Sequence, residues 1–330
     1  MTAPGLPPEH IAEVLHLAGD QVRIERVAGY DLVDTWERSR SGTRFYRFRV
    51  DPDGRQVLVK TGDGWAASDA RALHDAQASL ADAISAAHIA NAGVVRPWGW
   101  VDSPPLIVMP FVEGTDLVTL LRLPERPEWD SIPNWIRAAG EMLAVFHRTT
   151  RPAGPAADVS RSFAEIAETA DKMRIRPRLI EPLLAHAEAG VAYVSYGDFG
   201  PGNLLGVEDG DVYLIDPPVD PGFAPFQRDL GNFLFEMRRQ LAGHGFTRSK
   251  PVKGRFGSLR QALLDGYASR APEAEPITRA DEALIALFEM RRASGMARKR
   301  LPGRPGDALW FTRSALARRR EVKRLGSQPA

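Results

Sequence analysis

The chain has 330 residues, 44% of them hydrophobic and 26% charged, an ordinary composition for a globular protein and a length sufficient for two domains or one domain of two lobes. It contains no cysteine, which excludes disulfides, thiolate metal sites and cysteine nucleophiles and permits a reducing compartment. The net charge of +1 hides an asymmetry: residues 291–330 carry twelve Lys or Arg against Asp307 and Glu321, a surplus of 10, while the rest of the chain carries −9.

The proline-rich start "MTAPGLPPEH" lacks a basic segment followed by an apolar run, so no secretory signal is expected. No stretch approaches the ~18 consecutive apolar residues of a membrane-spanning helix, and the expected location is the cytoplasm. The apolar spacing of "EHIAEVLHLAG" predicts a short helix ending at Gly19. "QVRIERVAG" (21–29), "RFYRFRV" (44–50) and "RQVLVKTG" (55–62), rich in Val, Phe and Tyr, predict strands, with "DPDG" as a hairpin turn between the last two. Residues 66–92 are dominated by Ala and lack Pro and Gly, which predicts one long helix. "PWGWVDSPPLIVMPFVEG" then supplies two more strands, and a hinge is expected near "PFVEGTDL". After Thr115 the pattern is helical, interrupted by "AYVSYGDFGPGNLLGVEDGDVYLIDPP", which reads as strand, loop, short strand, turn and strand. The expected fold class is α+β: an N-terminal antiparallel sheet lobe with one long helix (1–112), and a mostly helical C-terminal lobe with an acidic hairpin (113–330) ending in the basic segment 291–330.

The hairpin carries the chemistry. Asp198 and Asn203 stand five residues apart across "FGPG", a sequence that cannot form a regular helix, so both side chains can face one side of a loop. A return through "VEDGD" and the apolar "VYLI" brings Asp216 back beside Asn203. Two carboxylates and an amide oxygen make a hard-oxygen site suited to Mg²⁺ that keeps phosphate oxygens as further ligands. Phosphoryl transfer uses such a set, since it needs positioning, charge neutralisation and a carboxylate to accept the hydroxyl proton. The alternative is an Asp/Asn/Gly-rich surface hairpin.

"YGDFGPGNLL…LIDPP" resembles the "HGD-x-x-x-x-N…ID" motif of the aminoglycoside phosphotransferase and choline kinase-like family, which is related to the protein kinases. The resemblance implies a bilobal protein-kinase-like fold with ATP and Mg²⁺ as cofactors. It implies Asp198 as catalytic base and Asn203 and Asp216 as metal ligands, with Tyr196 where His is usual. Lys60, at the end of "RQVLVKTG", is implied to hold the α- and β-phosphates. Ser41, Gly42 and Thr43 would supply phosphate-capping amides. Adenine would lie against Met109, with backbone groups from Pro110 to Val112 open to hydrogen bonding. Asp229, in "FQRDLGNFLF", matches a further family aspartate of architectural role. The Glu that normally partners the lysine is missing: no Glu lies between Lys60 and Val112. Asp82, or Asp75 one heptad earlier, is the expected substitute.

Only twelve residues separate Asp216 from Asp229, which leaves no room for a protein-kinase activation segment, so a small-molecule hydroxyl acceptor is expected. Residues 158–178 mix acidic and basic side chains and select no polycation. The basic C-terminal end, if not merely a solvated helix end, suits an anionic partner, a peripheral membrane surface or a polyanion. No nucleic-acid reading motif accompanies it. An inactive nucleotide-binding protein on this fold, or a kinase for a lipid-linked or anionic glycan acceptor, stays as the alternative.

Overall fold

The computed structural model describes residues 7–17, 29–38, 42–51, 54–123, 127–151, 159–216, 222–242, 250–271, 276–300 and 305–326. In chain order these form α1 (Pro8–Leu17), β1 (Gly29–Arg38), β2 (Thr43–Asp51), β3 (Arg55–Gly62), α2 (Ala67–Ala86), β4 (Ala92–Val94), β5 (Gly99–Asp102), β6 (Pro105–Pro110), β7 (Thr115–Asp116), α3 (Leu117–Arg122), α4 (Ile132–Thr149), α5 (Ser160–Lys172) and α6 (Pro177–Ala189). Then follow β8 (Ala192–Val194), β9 (Leu204–Gly206), β10 (Val212–Leu214), β11 (Phe223–Pro225), α7 (Gln227–Ala242), α8 (Lys250–Arg270), α9 (Arg279–Arg300) and α10 (Pro305–Gly326). Among the described residues no helix is long and apolar enough to cross a membrane.

Two units emerge. The first takes Met1–Ala86, Gly93–Gly114 and Leu214–Pro217, and the second takes Ala87–Ala92, Thr115–Tyr213 and Pro218–Ala330. The first is built on an antiparallel sheet in the order β1-β2-β3-β6-β5. Period-two alternation sorts its faces. Val57 and Val59, fully buried, join Phe48, Leu106, Val108 and the α1 residues Ile11 and Leu15 in one cluster. Lys60 is paired in register with Phe45 and Ile107, which places it on the opposite face. Helix α2 lies on that face too, where His74 meets the ring of Trp100, the register partner of Ile107.

Two expectations shift. The strand expected at 21–29 lies outside the described residues except for Gly29, and the first described strand is β1. Its hydrophobic residues Leu32, Val33 and Trp36 are exposed, and among the described strands β1 is an edge paired with β2 alone, so it lacks the apolar alternation of a covered strand. Helix α2 stops at Ala86, not residue 92, because His88 and Asn91 take positive φ (49° and 56°) and turn the chain into β4.

The second unit is mostly helical. One apolar cluster joins Ile166 and Ile180 with Phe235, Leu284, Leu287 and Phe288, and α10 adds Phe311, Ala315, Val322 and Leu325. Asp116 caps α3, accepting from the N–H and hydroxyl of Thr119 at 2.9 and 2.7 Å. The basic C-terminal segment is partly consumed inside this unit. Arg291 pairs with Glu165, Arg318 with Glu289 and Glu321, and Arg319 donates to the carbonyl of Arg174.

Candidate active site

In the first unit, Lys60 Nζ donates to Asp216 Oδ1 at 2.9 Å, across 156 positions of sequence, with both side chains nearly buried. Asp216 reaches it because β9 and β10 form a hairpin, closed by the Val207 N–H donating to the Asp211 carbonyl at 3.0 Å, and Asp216 follows two residues after β10. The Phe45 ring lies 5.9 Å from the same ammonium.

Lys60 is therefore partnered by Asp216, and the expected pairing with Asp82 is not seen. Asp82 is exposed on α2 and bonds Arg96, while Asp75 is exposed and bonds His74 and Arg71. The reason is helical geometry: the buried face of α2 runs through Ala70, Gln77, Leu80, Ala81 and Ile84, and both aspartates point away from it. The polar residue on that face is Gln77, fully buried, whose Nε2 donates to the carbonyls of Val95 (2.6 Å) and Ile215 (3.2 Å). It anchors α2 to the residue preceding Asp216. The apolar spacing of α2 marks this position in the sequence, but a search confined to acids passes over it.

The remaining expected nucleotide contacts divide. Ser41 lies outside the described residues. Gly42 makes a turn at φ 61°, its carbonyl accepting from Asp63 N–H at 3.2 Å, and Thr43 opens β2 opposite Gly62. Met109 and Pro110 sit on β6 opposite Leu58 and Val57, with Met109 buried. Val112 is half-buried just beyond, and the intervening Phe111 N–H is already donated to Gln56, so it is not open to a ligand as expected.

In the second unit, strand β8 leads into the loop 195–203. Gly197 has φ 79°, a conformation that favours glycine, and next to it Asp198 presents a side chain 83% exposed. Asn203, buried at the end of a 3₁₀ turn begun by Pro201, donates Nδ2 to the Asp198 carbonyl at 2.9 Å. With its nitrogen so engaged, the amide oxygen is the atom a hard cation would use.

The loop is held from below by Asp229 on α7, which is fully buried. Its carboxylate accepts from Ser195 Oγ (2.9 Å), from the N–H groups of Tyr196 (2.8 Å) and Gly197 (3.2 Å), and meets His147 Nε2 at 3.1 Å. Burial alone would raise the pKa of Asp229, but His147 and the hydrogen bonds from Tyr196 and Ser195 outweigh it and hold it below the usual carboxylate range. Tyr196, in the usual His position, is buried edge-on against the rings of Phe146 and Phe199, both at 5.2 Å. Two residues missed by sequence reasoning stand beside Asp198: Arg292 of α9, 3.7 Å from its carboxylate, and Glu236 of α7, 3.7 Å from Arg292. Among the described residues no three His, Asp or Glu side chains gather as a metal cluster.

The solved structures similar to this chain include a glucosamine kinase at 17% identity, covering 92% of this chain and 99% of that one with a TM-score of 0.51. A glucosamine kinase in complex with glucosamine, ADP and inorganic phosphate aligns at 16% identity over 95% and 99%, with a TM-score of 0.50. A choline kinase from Streptococcus pneumoniae aligns at 13% identity over 97% and 99%, with a TM-score of 0.48. No curated protein sequence is similar enough to count as a match. The model of the phosphotransferase enzyme family matches residues 35–275, a span that takes in Lys60, the loop around Asp198, Asp216 and Asp229, and the chain belongs to that family.

Proposed function

We propose that this chain transfers the γ-phosphoryl group of ATP to a hydroxyl of a small molecule, with Asp198 as the base. The observation that carries the reading is the 2.9 Å pair of Lys60 and Asp216, a strand lysine and a post-hairpin aspartate joined across 156 positions. A lysine so placed holds the α- and β-phosphates, and Asp216 and Asn203 offer the hard oxygens a magnesium ion takes. When bound, that ion neutralises phosphate charge. The protein's own residues do the rest. Asp198, exposed on a loop pinned by Asp229, accepts the hydroxyl proton, and Met109, Pro110 and Val112 border the base of the nucleotide.

A small acceptor fits the twelve residues between Asp216 and Asp229, too few for a peptide-binding activation segment. Amino sugars are the first acceptors to try, since a structural relative binds glucosamine and ADP, with neutral sugars, amino alcohols, nucleosides and aminoglycosides beside them. The test is ADP release across such a panel. Asp198→Asn is expected to cut turnover about 10²–10⁴-fold. EDTA is expected to abolish turnover and added Mg²⁺ to restore it. Nucleotide binding without phosphoryl transfer to any acceptor would sink the reading and favour an inactive nucleotide-binding protein.

A further inference from the structure

Helix α9 delivers Arg292 to the loop of the base. Its Nη2 lies 3.7 Å from Asp198 Oδ1 and 3.7 Å from Glu236 Oε1, close enough for Coulombic attraction and too far for a hydrogen bond. Glu236 is engaged by Arg239 at 2.6 Å and sits against the same loop, since a Cβ on Gly200 would come 4.0 Å from its Cγ. Arg292 Nε is buried and has no hydrogen-bond partner among the described residues. An arginine that merely tied α9 to the loop would close to about 2.7–2.9 Å on its carboxylate. This one is held midway between two carboxylates.

We propose that Arg292 is the cation that stabilises the transferring phosphoryl group. The inference rests on the phosphotransferase reading with Asp198 as base. A hydroxyl that yields its proton to Asp198 stands about 3 Å from that carboxylate, and the phosphorus it attacks about 3 Å further. A guanidinium 3.7 Å from the same carboxylate is within a side-chain rotation of the equatorial phosphoryl oxygens. In the step, the acceptor oxygen bonds to the γ-phosphorus and the bond to the β-phosphate oxygen breaks. The proton passes to Asp198, and the electron pair leaves with the nucleoside diphosphate. Arg292 exchanges no proton. It donates to the equatorial oxygens, while Glu236 keeps it from collapsing onto Asp198 and blocking the acceptor hydroxyl.

The test compares wild type, Arg292→Gln and Arg292→Lys, each checked for folding by circular dichroism. ADP release is followed with the best acceptor and with water alone, and Mg·ADP binding is measured with and without aluminium fluoride as a mimic of the transferring group. Arg292→Gln is expected to lower kcat at least about 100-fold with the KM for ATP within about twofold, and to lose the affinity gained from aluminium fluoride. Arg292→Lys is expected to recover part of both. Wild-type turnover in Arg292→Gln overturns the proposal. So does a loss confined to the acceptor KM, which would make Arg292 an acceptor-binding residue, or equal loss of plain Mg·ADP binding, which would make it structural. A wild-type protein that neither binds Mg·ADP nor releases ADP brings down the phosphotransferase reading and this one with it; an active wild type with an equally active Arg292→Gln brings down the arginine alone.

Discussion

At the level of the residue, Gln77 ties α2 to the chain beside Asp216 through a buried amide that donates to two backbone carbonyls. A glutamate there would carry only acceptors at neutral pH and would face the carbonyls of Val95 and Ile215 with nothing to donate. Gln77→Glu, which places the usual acid on the helix, is therefore expected to destabilise the protein more than Gln77→Ala. The alanine variant leaves both carbonyls unpaired at a cost of about 1–3 kcal/mol. Urea denaturation ranks the two, and an equal or more stable Gln77→Glu would show that donation to these two carbonyls is not what the position requires. Because Ile215 precedes Asp216, both variants are also expected to raise the KM for ATP. Asp216→Ala is a different case, since it strands a nearly buried ammonium.

Among the elements, the crossing of α4 and α8 is set by two glycines. A Cβ on Gly140 would collide with the Leu263 carbonyl and approach the Tyr267 nitrogen to 2.7 Å, and one on Gly266 would collide with the Arg137 carbonyl. Backbone atoms cannot turn aside, so Gly140→Ala is expected to lower the stability by about 1–3 kcal/mol or more, seen as a depressed Tm. An unchanged Tm would mean that the helices part at no cost. Legibility in the sequence divided along the same lines of local and non-local cause. The sheet strands with covered faces, the Ala-rich helix and the hairpin around Asp198 and Asn203 were readable because alternation, propensity and turn residues act within a few positions. Strand β1 was not, since an edge strand with Leu32, Val33 and Trp36 exposed has no buried pattern to read. Asp82 does not fill the role its acid type suggests, because only the buried face of α2 decides which of its polar residues turns inward. In the sequence Arg292 is one of the basic residues of 291–330, and nothing short of the packing of α9 against the loop separates it from Arg298 and Lys299.

For the molecule as a whole, two buried aspartates tie stability to acid pH. In Asp281, burial pushes the pKa up, yet the hydrogen bonds from Thr278, His186 and Gln227 prevail and hold it below the ordinary value, as the partners of Asp229 do for that residue. Both folded values lie below the unfolded one of about 3.9, so their stabilisation is fully present above that pH and is lost as the pH falls through the depressed folded values. Urea midpoints are expected to fall steeply from about pH 4 downward, and Asp281→Asn to flatten that acid limb. An acid limb of unchanged slope in the variant would remove Asp281 from the account.

The pair of Lys60 and Asp216 also imposes a timetable. The first unit is completed by Leu214–Pro217, so a nascent chain that has already made β1 to β6 holds a lysine on its sheet whose counter-charge has not yet been synthesised. At about 5–20 residues per second the wait across those 156 positions is on the order of ten to thirty seconds. A fragment of residues 1–114 is expected to remain incompletely folded for the same reason, with weak amide protection in β3 that only the longer chain restores. Lys60 thus acquires its counter-charge late, after the whole of the loop 195–203 has been synthesised.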